Sequence, residues 1–115
     1  MTQRLIITSG EPAGIGPDLV LQLAQKAWPI ELVVIADKTL LQHRAKLLGL
    51  NVDFIEYDAN KPAQPSKALQ MVIEEIKTPQ PVVDGQLNPA NAEYVIKMLK
   101  RAIQGCIHNE FAGMV

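Results

Sequence analysis

The chain has 115 residues, of which 48% are apolar and 20% charged, a composition typical of one soluble globular domain. Its net charge of -1 and its scattered positive residues argue against a nucleic-acid-binding protein. Cys106 is the only cysteine, which excludes an internal disulfide, and no apolar stretch suits a signal peptide or a membrane helix, so we predict a cytoplasmic protein without a membrane partner.

The first predicted elements are a strand, a loop and a helix. Residues 5–8 form a short apolar run before Ser9-Gly10, which is the pattern of a buried strand. Residues 10–17 are too rich in glycine and proline for regular structure. A helix is expected from Pro17, with Asp18 favourably placed in its first turn, and Pro29 is expected to end it.

The next segments repeat the alternation of strand and helix. Residues 32–36 are continuously apolar, as expected of a strand covered on both faces. Asp37 can cap the following helix and Gly49 can end it. Residues 52–57 predict a third strand. This order predicts an α/β fold in which right-handed crossovers build a parallel sheet.

The second half of the chain is less regular. Residues 58–66 are predicted to form a loop, and residues 69–76 combine helical spacing with β-branched content, which leaves helix and strand both open. Residues 78–81 predict a proline-rich break and Asp84-Gly85 a turn. Asn88-Pro89 predicts the start of the longest helix. Its expected core-facing stripe is Ala92, Val95, Ile96, Leu99, Ala102, Ile103 and Cys106.

The last residues, 111–115, predict the beginning of another strand. Ligands of open α/β sheets bind beyond the carboxyl ends of the strands. A chain that stops inside such a strand therefore favours a longer parent protein over an edge strand that completes this one. We expect residues 1–115 to be one N-terminal portion that is cut within the strand at 111–115.

The segment with chemical content is the glycine-rich loop between the first strand and the first helix. Such a loop lets the backbone approach an anion, and the helix N-terminus adds N–H groups and a partial positive charge. The spacing Gly-x-x-x-Gly-x-Gly matches neither the Rossmann pattern nor the P-loop, so a ligand site and a structural turn both stay open. The candidate cofactor-binding residues are Gly10, Glu11, Pro12, Ala13, Gly14, Ile15 and Gly16.

Polar residues outside the loop have plainer interpretations. Asp37 could hold an adenosine ribose at the end of the second strand, but a helix cap is the stronger interpretation. His43 and His108 lack neighbours at metal-ligand spacing and are expected at the surface or as caps. Glu74 and Glu75 are expected to be solvated.

Two other side chains invite a structural interpretation as well. Cys106 lies on the apolar stripe and is expected to be a small core residue, since no base is suitably placed to activate its thiol. Trp28, beside Pro29, is expected to close the end of the first helix.

The segment Gly10-Glu11-Pro12-Ala13-Gly14-Ile15-Gly16-Pro17-Asp18 resembles the opening signature of the 4-hydroxythreonine-4-phosphate dehydrogenases of vitamin B6 biosynthesis. That family often has Asp at the position of Glu11 and Glu at that of Asp18. The resemblance continues in order through residues 36–41, 62–65, 85–95, 105–106 and 110–112. It therefore spans essentially the whole chain.

The resemblance implies a fold with parallel-sheet αβα layers of the isocitrate and isopropylmalate dehydrogenase type, incomplete here. It implies a homodimer that uses NAD or NADP to oxidise 4-phosphooxy-L-threonine, a phosphorylated small-molecule substrate. The resulting β-keto acid would lose CO2 to give 3-amino-2-oxopropyl phosphate. A divalent metal (Zn, Mg or Co) would act as Lewis acid in the parent. The family's metal-binding histidines lie beyond position 115, so we expect no catalytic or metal-binding residue here and no activity of the chain alone.

Two alternatives remain at this point. One is a sister dehydrogenase that acts on a threonate or erythronate 4-phosphate. The other is a non-catalytic module of 115 residues that binds a nucleotide or another protein.

Overall fold

The computed structural model describes residues 1–79, 82–83 and 85–115. Within them, five strands form one sheet in the order β3-β4-β2-β1-β5, and the four strand pairings are parallel. The strands are β1 Arg4–Thr8, β2 Glu31–Ala36, β3 Asp53–Glu56, β4 Gln70–Glu75 and β5 Gly113–Met114. The predicted parallel α/β sheet is confirmed.

Helices cover both faces of this sheet. They are α1 Gly16–Leu23, α2 Lys38–Leu48 and α3 Ala92–Ile107, the last preceded by a 3-10 turn, Pro89–Asn91. Side chains of a strand alternate between faces, so Ile7 and Val34 pack with α1 and α2 while Ile6 and Val33 pack with α3. Two cores on opposite faces of one sheet make three αβα layers, as expected.

The helix boundaries follow from capping. The Asp37 carboxylate accepts hydrogen bonds from Thr39 N and Leu40 N and so begins α2. Gly49 ends α2 in the left-handed conformation with φ 69°, which costs glycine little. Asn88 accepts from Ala90 N at 3.0 Å and begins the 3-10 turn before α3. These three predicted boundary residues are confirmed.

The segment that the pattern left open is strand β4. It lies between β2 and β3, where Val72 pairs with Val33 on one side and with Ile55 on the other. Met71 and Ile73 point into the core beneath α1 and α2. A position between two strands suits β-branched side chains, which explains why the strand prevails over the helical spacing.

Helix α1 ends at Leu23, several residues before Pro29. The indole Nε1 of Trp28 donates to Leu23 O at 2.8 Å, and Leu69 N donates to Ala24 O at 2.8 Å. These donors satisfy carbonyl groups that a longer helix would have used internally. The expected role of Trp28 at the helix end is confirmed, but the expected length of α1 was too great.

The apolar stripe predicted for α3 is wrong in most positions. The helix buries Tyr94, Met98, Ala102 and Gly105 against the sheet, while Ile96, Leu99 and Ile103 remain 49%, 39% and 46% exposed. Apolar residues cover more than half of the circumference of α3, and one flat sheet can cover only one side. Gly105 selects that side, because a Cβ there would lie 2.3 Å from the Phe111 ring.

Two predictions near the middle of the chain fall partly on residues outside the described ones. The break at 78–81 includes positions 80 and 81, and the turn at Asp84-Gly85 includes position 84. Among the described residues, no helix has the length and apolar character needed to cross a membrane.

Candidate functional site

The carboxyl ends of β1 and β2 lie side by side at the centre of the sheet. Thr8 pairs with Ile35 near these ends, and the glycine-rich loop and Asp37 follow directly. Crevices outside the carboxyl ends of strands are where open parallel sheets bind ligands. The seven loop residues predicted from the sequence therefore lie at the edge of the sheet where a ligand is expected.

The loop turns back sharply over the end of β1, and its glycines make this turn possible. Gly10 has φ +76°, a conformation that favours glycine. A Cβ on Gly16, the first residue of α1, would lie 1.8 Å from Ser9 O, so the chain crosses itself there at a distance that only glycine permits. At Gly14 a Cβ would lie 3.3 Å from Glu11 O, a much milder approach.

The other predicted loop residues divide into anchors and exposed positions. Pro12 is buried, and Ala13 O accepts a hydrogen bond from Gly85 N at 3.2 Å. The Glu11 carboxylate lies 3.4 Å from Ala13 N, at the long limit of a hydrogen bond. Gly14 is exposed, and Ile15 exposes 73% of its surface. The loop thus presents Gly14 and Ile15 outward while its base is fixed.

Three residues that the sequence analysis did not single out make hydrogen bonds at the start of the loop and at the neighbouring end of β2. The Ser9 hydroxyl donates to Ile35 O at 3.0 Å, and Gly10 N donates to the Met98 sulfur at 3.3 Å. Tyr94 Oη accepts from Asp37 N at 2.8 Å, and burial raises the pKa of this phenol. Only the apolar spacing of α3 points to Met98 and Tyr94, and the predicted stripe places the core on a different side of that helix.

The first turn of α1 contains Asp18, whose negative charge is neutralised by an arginine. Asp18 lies where its carboxylate favours the helix dipole, and Arg44 of α2 binds it through two nitrogens at 2.8 and 2.7 Å. This ion pair is four-fifths buried on the arginine side. A second anion near the helix N-terminus would therefore meet less repulsion than an unpaired Asp18 would cause.

Asp37 is fully engaged in the protein. It is 7% exposed, and besides the two capping bonds its Oδ2 accepts from Thr78 N at 2.9 Å and Thr78 Oγ1 at 3.0 Å. Four hydrogen bonds leave this carboxylate little capacity for a ribose. The interpretation of Asp37 as a helix cap is confirmed.

The expected surface positions of the histidines are confirmed. His43 is exposed on α2, and His108 follows α3 with its Nδ1 2.8 Å from Gln104 O. Cys106 is half-buried beside the core under α3. In the part of the chain that the structure describes, no three His, Cys, Asp or Glu side chains are grouped as a metal would need.

Glu74 was expected to be solvated, but it is partly buried and forms an ion pair. Its Oε2 lies 2.7 Å from Arg101 Nε, and Arg101 also binds Glu110 at 2.7 Å. Tyr57 Oη donates to Glu110 at 2.6 Å. The guanidinium of Arg101 and then the Tyr57 hydroxyl lower the pKa of Glu110. This cluster joins β4, α3 and the approach to β5, so its role is structural. Glu75, as expected, is exposed.

A groove of about 470 Å³ lies elsewhere, beside the loop that follows β3. Its lining includes Arg4, Glu31, Tyr57 and Lys61. The Arg4 side chain is engaged by Glu31 at 2.6 Å and by Lys61 O at 2.8 Å. Because these polar groups satisfy one another, the glycine-rich loop remains the better candidate site.

The fold and the loop together define the class: an α/β protein with an open parallel sheet and a glycine-rich turn leading into a helix at its carboxyl edge. Solved structures share this fold. A 4-hydroxythreonine-4-phosphate dehydrogenase from Burkholderia phymatum matches with a TM-score of 0.79 at 19% identity, over 96% of this chain and 34% of that one. One from Klebsiella pneumoniae matches with a TM-score of 0.78 at 19% identity, over 98% and 36%.

Sequence comparisons identify the family. The family model described as "Pyridoxal phosphate biosynthetic protein PdxA" matches residues 28–115. The chain is 51% identical over 114 residues to a Vibrio cholerae protein named 4-hydroxythreonine-4-phosphate dehydrogenase, covering 99% of this chain and 34% of that protein. A Vibrio vulnificus protein of the same name is 50% identical over 115 residues, with coverage of 100% and 35%.

The chain therefore belongs to the PdxA family of pyridoxal phosphate biosynthetic proteins. It spans about a third of the length of the curated relatives it matches. The family model begins at residue 28, after the glycine-rich loop, whereas the Vibrio relatives align with the chain from end to end. The resemblance noted from the sequence is thus confirmed.

Proposed function

We propose that residues 1–115 are the N-terminal part of an NAD(P)-dependent dehydrogenase that oxidises 4-phosphooxy-L-threonine for pyridoxal phosphate biosynthesis. One observation carries the proposal: 51% identity, over nearly the whole chain, to a protein named 4-hydroxythreonine-4-phosphate dehydrogenase. The product would be a β-keto acid that decarboxylates to 3-amino-2-oxopropyl phosphate. The chain alone is proposed to be inactive, because it corresponds to a third of such an enzyme.

In this proposal the glycine-rich loop forms one wall of the cofactor cleft. The exposed Gly14 lets a ligand approach the backbone, and the start of α1 supplies N–H groups and a partial positive charge. Arg44 offsets the negative charge of Asp18 next to that point. The bound nicotinamide would accept the hydride, while these residues bind and orient the cofactor. An incoming phosphate would replace the weak contact of Glu11 with Ala13 N.

A divalent metal does not fit the residues described here, since none of them form a group of three possible ligands. We propose that the metal of the parent enzyme is bound by residues outside this chain. That metal is proposed to be zinc, magnesium or cobalt, and the cofactor to be NAD or NADP. The parent enzyme is further proposed to be a cytoplasmic homodimer without nucleic-acid or membrane partners.

The test is to measure turnover by the full-length enzyme, a polypeptide as long as the relatives of this chain. The enzyme is incubated with 4-phosphooxy-L-threonine and, in parallel, with threonate and erythronate 4-phosphates. Reduction of NAD or NADP is followed by absorbance. We expect turnover with the first substrate and none with the 115-residue chain. Turnover with a threonate or erythronate phosphate alone would contradict the proposed substrate. Micromolar NAD binding by the 115-residue chain would instead favour an independent nucleotide-binding module.

A matched pair of variants tests the loop in the full-length enzyme. Gly14→Ala adds one methyl group at an exposed position, where we expect KM for the cofactor to rise with little change in stability. Leu47→Ala alters an exposed side chain on α2 and should leave KM unchanged. Equal KM values for both variants would remove the loop from the cofactor site.

A further inference from the structure

Asn91 has an unusual side chain for a buried position. It is 1% exposed, and neither its Oδ1 nor its Nδ2 has a hydrogen-bond partner among the residues that the structure describes. A buried carboxamide that makes no hydrogen bonds is costly, and most buried polar side chains in native proteins are paired. Such a group calls for a physical explanation.

Local structure does not require this side chain. Asn91 occupies the N-cap position of α3, yet its side chain makes no capping hydrogen bond. The adjacent cap is made by Asn88, whose Oδ1 accepts from Ala90 N at 3.0 Å. The backbone N–H of Asn91 donates to Asn88 O at 2.9 Å, so this turn is held without the Asn91 side chain. An apolar side chain of the same size would therefore satisfy the fold better.

The position of Asn91 places it beyond the carboxyl ends of the strands. It shares the buried face of the helix with Tyr94, which contacts Asp37 N, and Met98, which contacts Gly10 N. Asn91 precedes Met98 by two helical turns, roughly 10 Å along the helix axis. Since α3 runs back from this edge toward the start of β5, Asn91 lies on the loop side of Tyr94, where open sheets bind ligands.

We propose that the Asn91 carboxamide binds a planar ligand group that presents a hydrogen-bond donor beside an acceptor, as a primary carboxamide or the edge of an adenine does. A carboxamide offers such a group one acceptor and two donors in one plane. The inference rests on the proposed cofactor function, because NAD(P) carries both a nicotinamide and an adenine. Entry of the ligand requires a local opening at the start of α3.

The experiment uses the 115-residue chain and observes the Asn91 side-chain NH2 directly by heteronuclear NMR, with its signal assigned from its absence in Asn91→Leu. The probes are nicotinamide, adenosine and nicotinate. Nicotinate is the matched control, because its carboxylate accepts hydrogen bonds but donates none. We expect a saturable shift of the Asn91 signal with nicotinamide or adenosine, and which of the two acts identifies the source of the group. Nicotinate should bind more weakly than nicotinamide, because it has no donor for Asn91 Oδ1.

Thermal unfolding of two variants separates binding from structure. Asn91→Leu should melt at or above the temperature of the parent chain and bind the active probe about tenfold more weakly, the equivalent of one hydrogen bond. Asn88→Ala, which loses a working cap, should melt lower. The inference is overturned if neither probe shifts the Asn91 signal, or if Asn91→Leu lowers the melting temperature as Asn88→Ala does. Both readouts are independent of turnover, so they can fail while the proposed dehydrogenase activity stands.

Discussion

Gly16 provides the sharpest test of the loop geometry. In Gly16→Ala the new Cβ would lie 1.8 Å from Ser9 O, whereas unstrained contacts of this kind lie near 3.5 Å. The backbone must therefore separate by more than about 1.5 Å at the point where β1 ends. Ser9 cannot move alone, because it is 3% exposed and its hydroxyl is bonded to Ile35 O.

The cost of this substitution should be large for a domain of this size. Forced overpacking typically costs ~1–3 kcal/mol, and a displaced main chain places Gly16→Ala at or above the upper end, about 3 kcal/mol. The free energy of unfolding for 115 residues is on the order of 6–17 kcal/mol. At roughly 4 °C for each kcal/mol, the melting temperature should fall by about 12 °C.

Two neighbouring glycines supply graded controls in the same loop. Gly10→Ala meets nothing within 4 Å but must keep φ near +76°, which costs about 1–2 kcal/mol. Gly14→Ala approaches Glu11 O at 3.3 Å with no such strain and should change stability by less than ~1 kcal/mol. Urea unfolding followed by circular dichroism measures all three. If Gly16→Ala is not the most destabilising of them, the close crossing at Ser9 is not as described.

Three further predictions concern the remaining contacts. Asp37→Ala removes a carboxylate with four hydrogen bonds and should lower the free energy of unfolding by about 2–4 kcal/mol in urea titrations; a loss below ~1 kcal/mol would contradict its buried capping role. Arg101 lowers the pKa of Glu110 in the folded chain. Ionised Glu110 therefore stabilises the folded chain at pH values above the ordinary pKa of a glutamate. This stabilisation is lost as the pH falls through the lowered pKa. The stability difference between the parent chain and Glu110→Gln should therefore shrink in acid, and an unchanged difference between neutral and acid unfolding curves would refute the linkage. The exposed apolar side of α3 is expected to make the 115-residue chain associate, so Ile103→Lys there should reduce association in sedimentation experiments and leave the melting temperature nearly unchanged. Leu47→Lys on α2 is the control. Equal association of both variants would show that the α3 surface is not involved.

Local signals were sufficient for much of the fold. The apolar run before Ser9, the cap at Asp37 and the left-handed Gly49 each act within a few residues, and each was predicted correctly. Strand β4 could not be assigned from its own residues, because its conformation depends on two neighbours more than ten residues away along the chain. The hydrophobic spacing within a segment does not show which distant strands pair with it.

The exposed stripe of α3 shows a second limit. Its apolar residues are as regularly spaced as those of a core face, and the pattern does not say which part of a wide apolar arc meets the sheet. The choice was made by Gly105 and Phe111, which allow close approach on one side only. The same ambiguity prevented the prediction of Tyr94 and Met98, which contact Asp37 N and Gly10 N, because both residues belong to the face of α3 that packs against the sheet.

The pairing of β1 with β5 has a consequence for how the chain is made. Leu5 and Ile6 form their second set of ladder hydrogen bonds with Gly113 and Met114, so one edge of the first strand stays unpaired until the last described residues leave the ribosome. Helix α3, which covers the same strand, also follows β2, β3 and β4 along the chain. The N-terminal strand thus keeps one open edge until β5 has been synthesised, and an unpaired apolar edge is a template for aggregation. Synthesis rate and chaperone access at this stage should influence the yield of folded protein more than they influence its final stability.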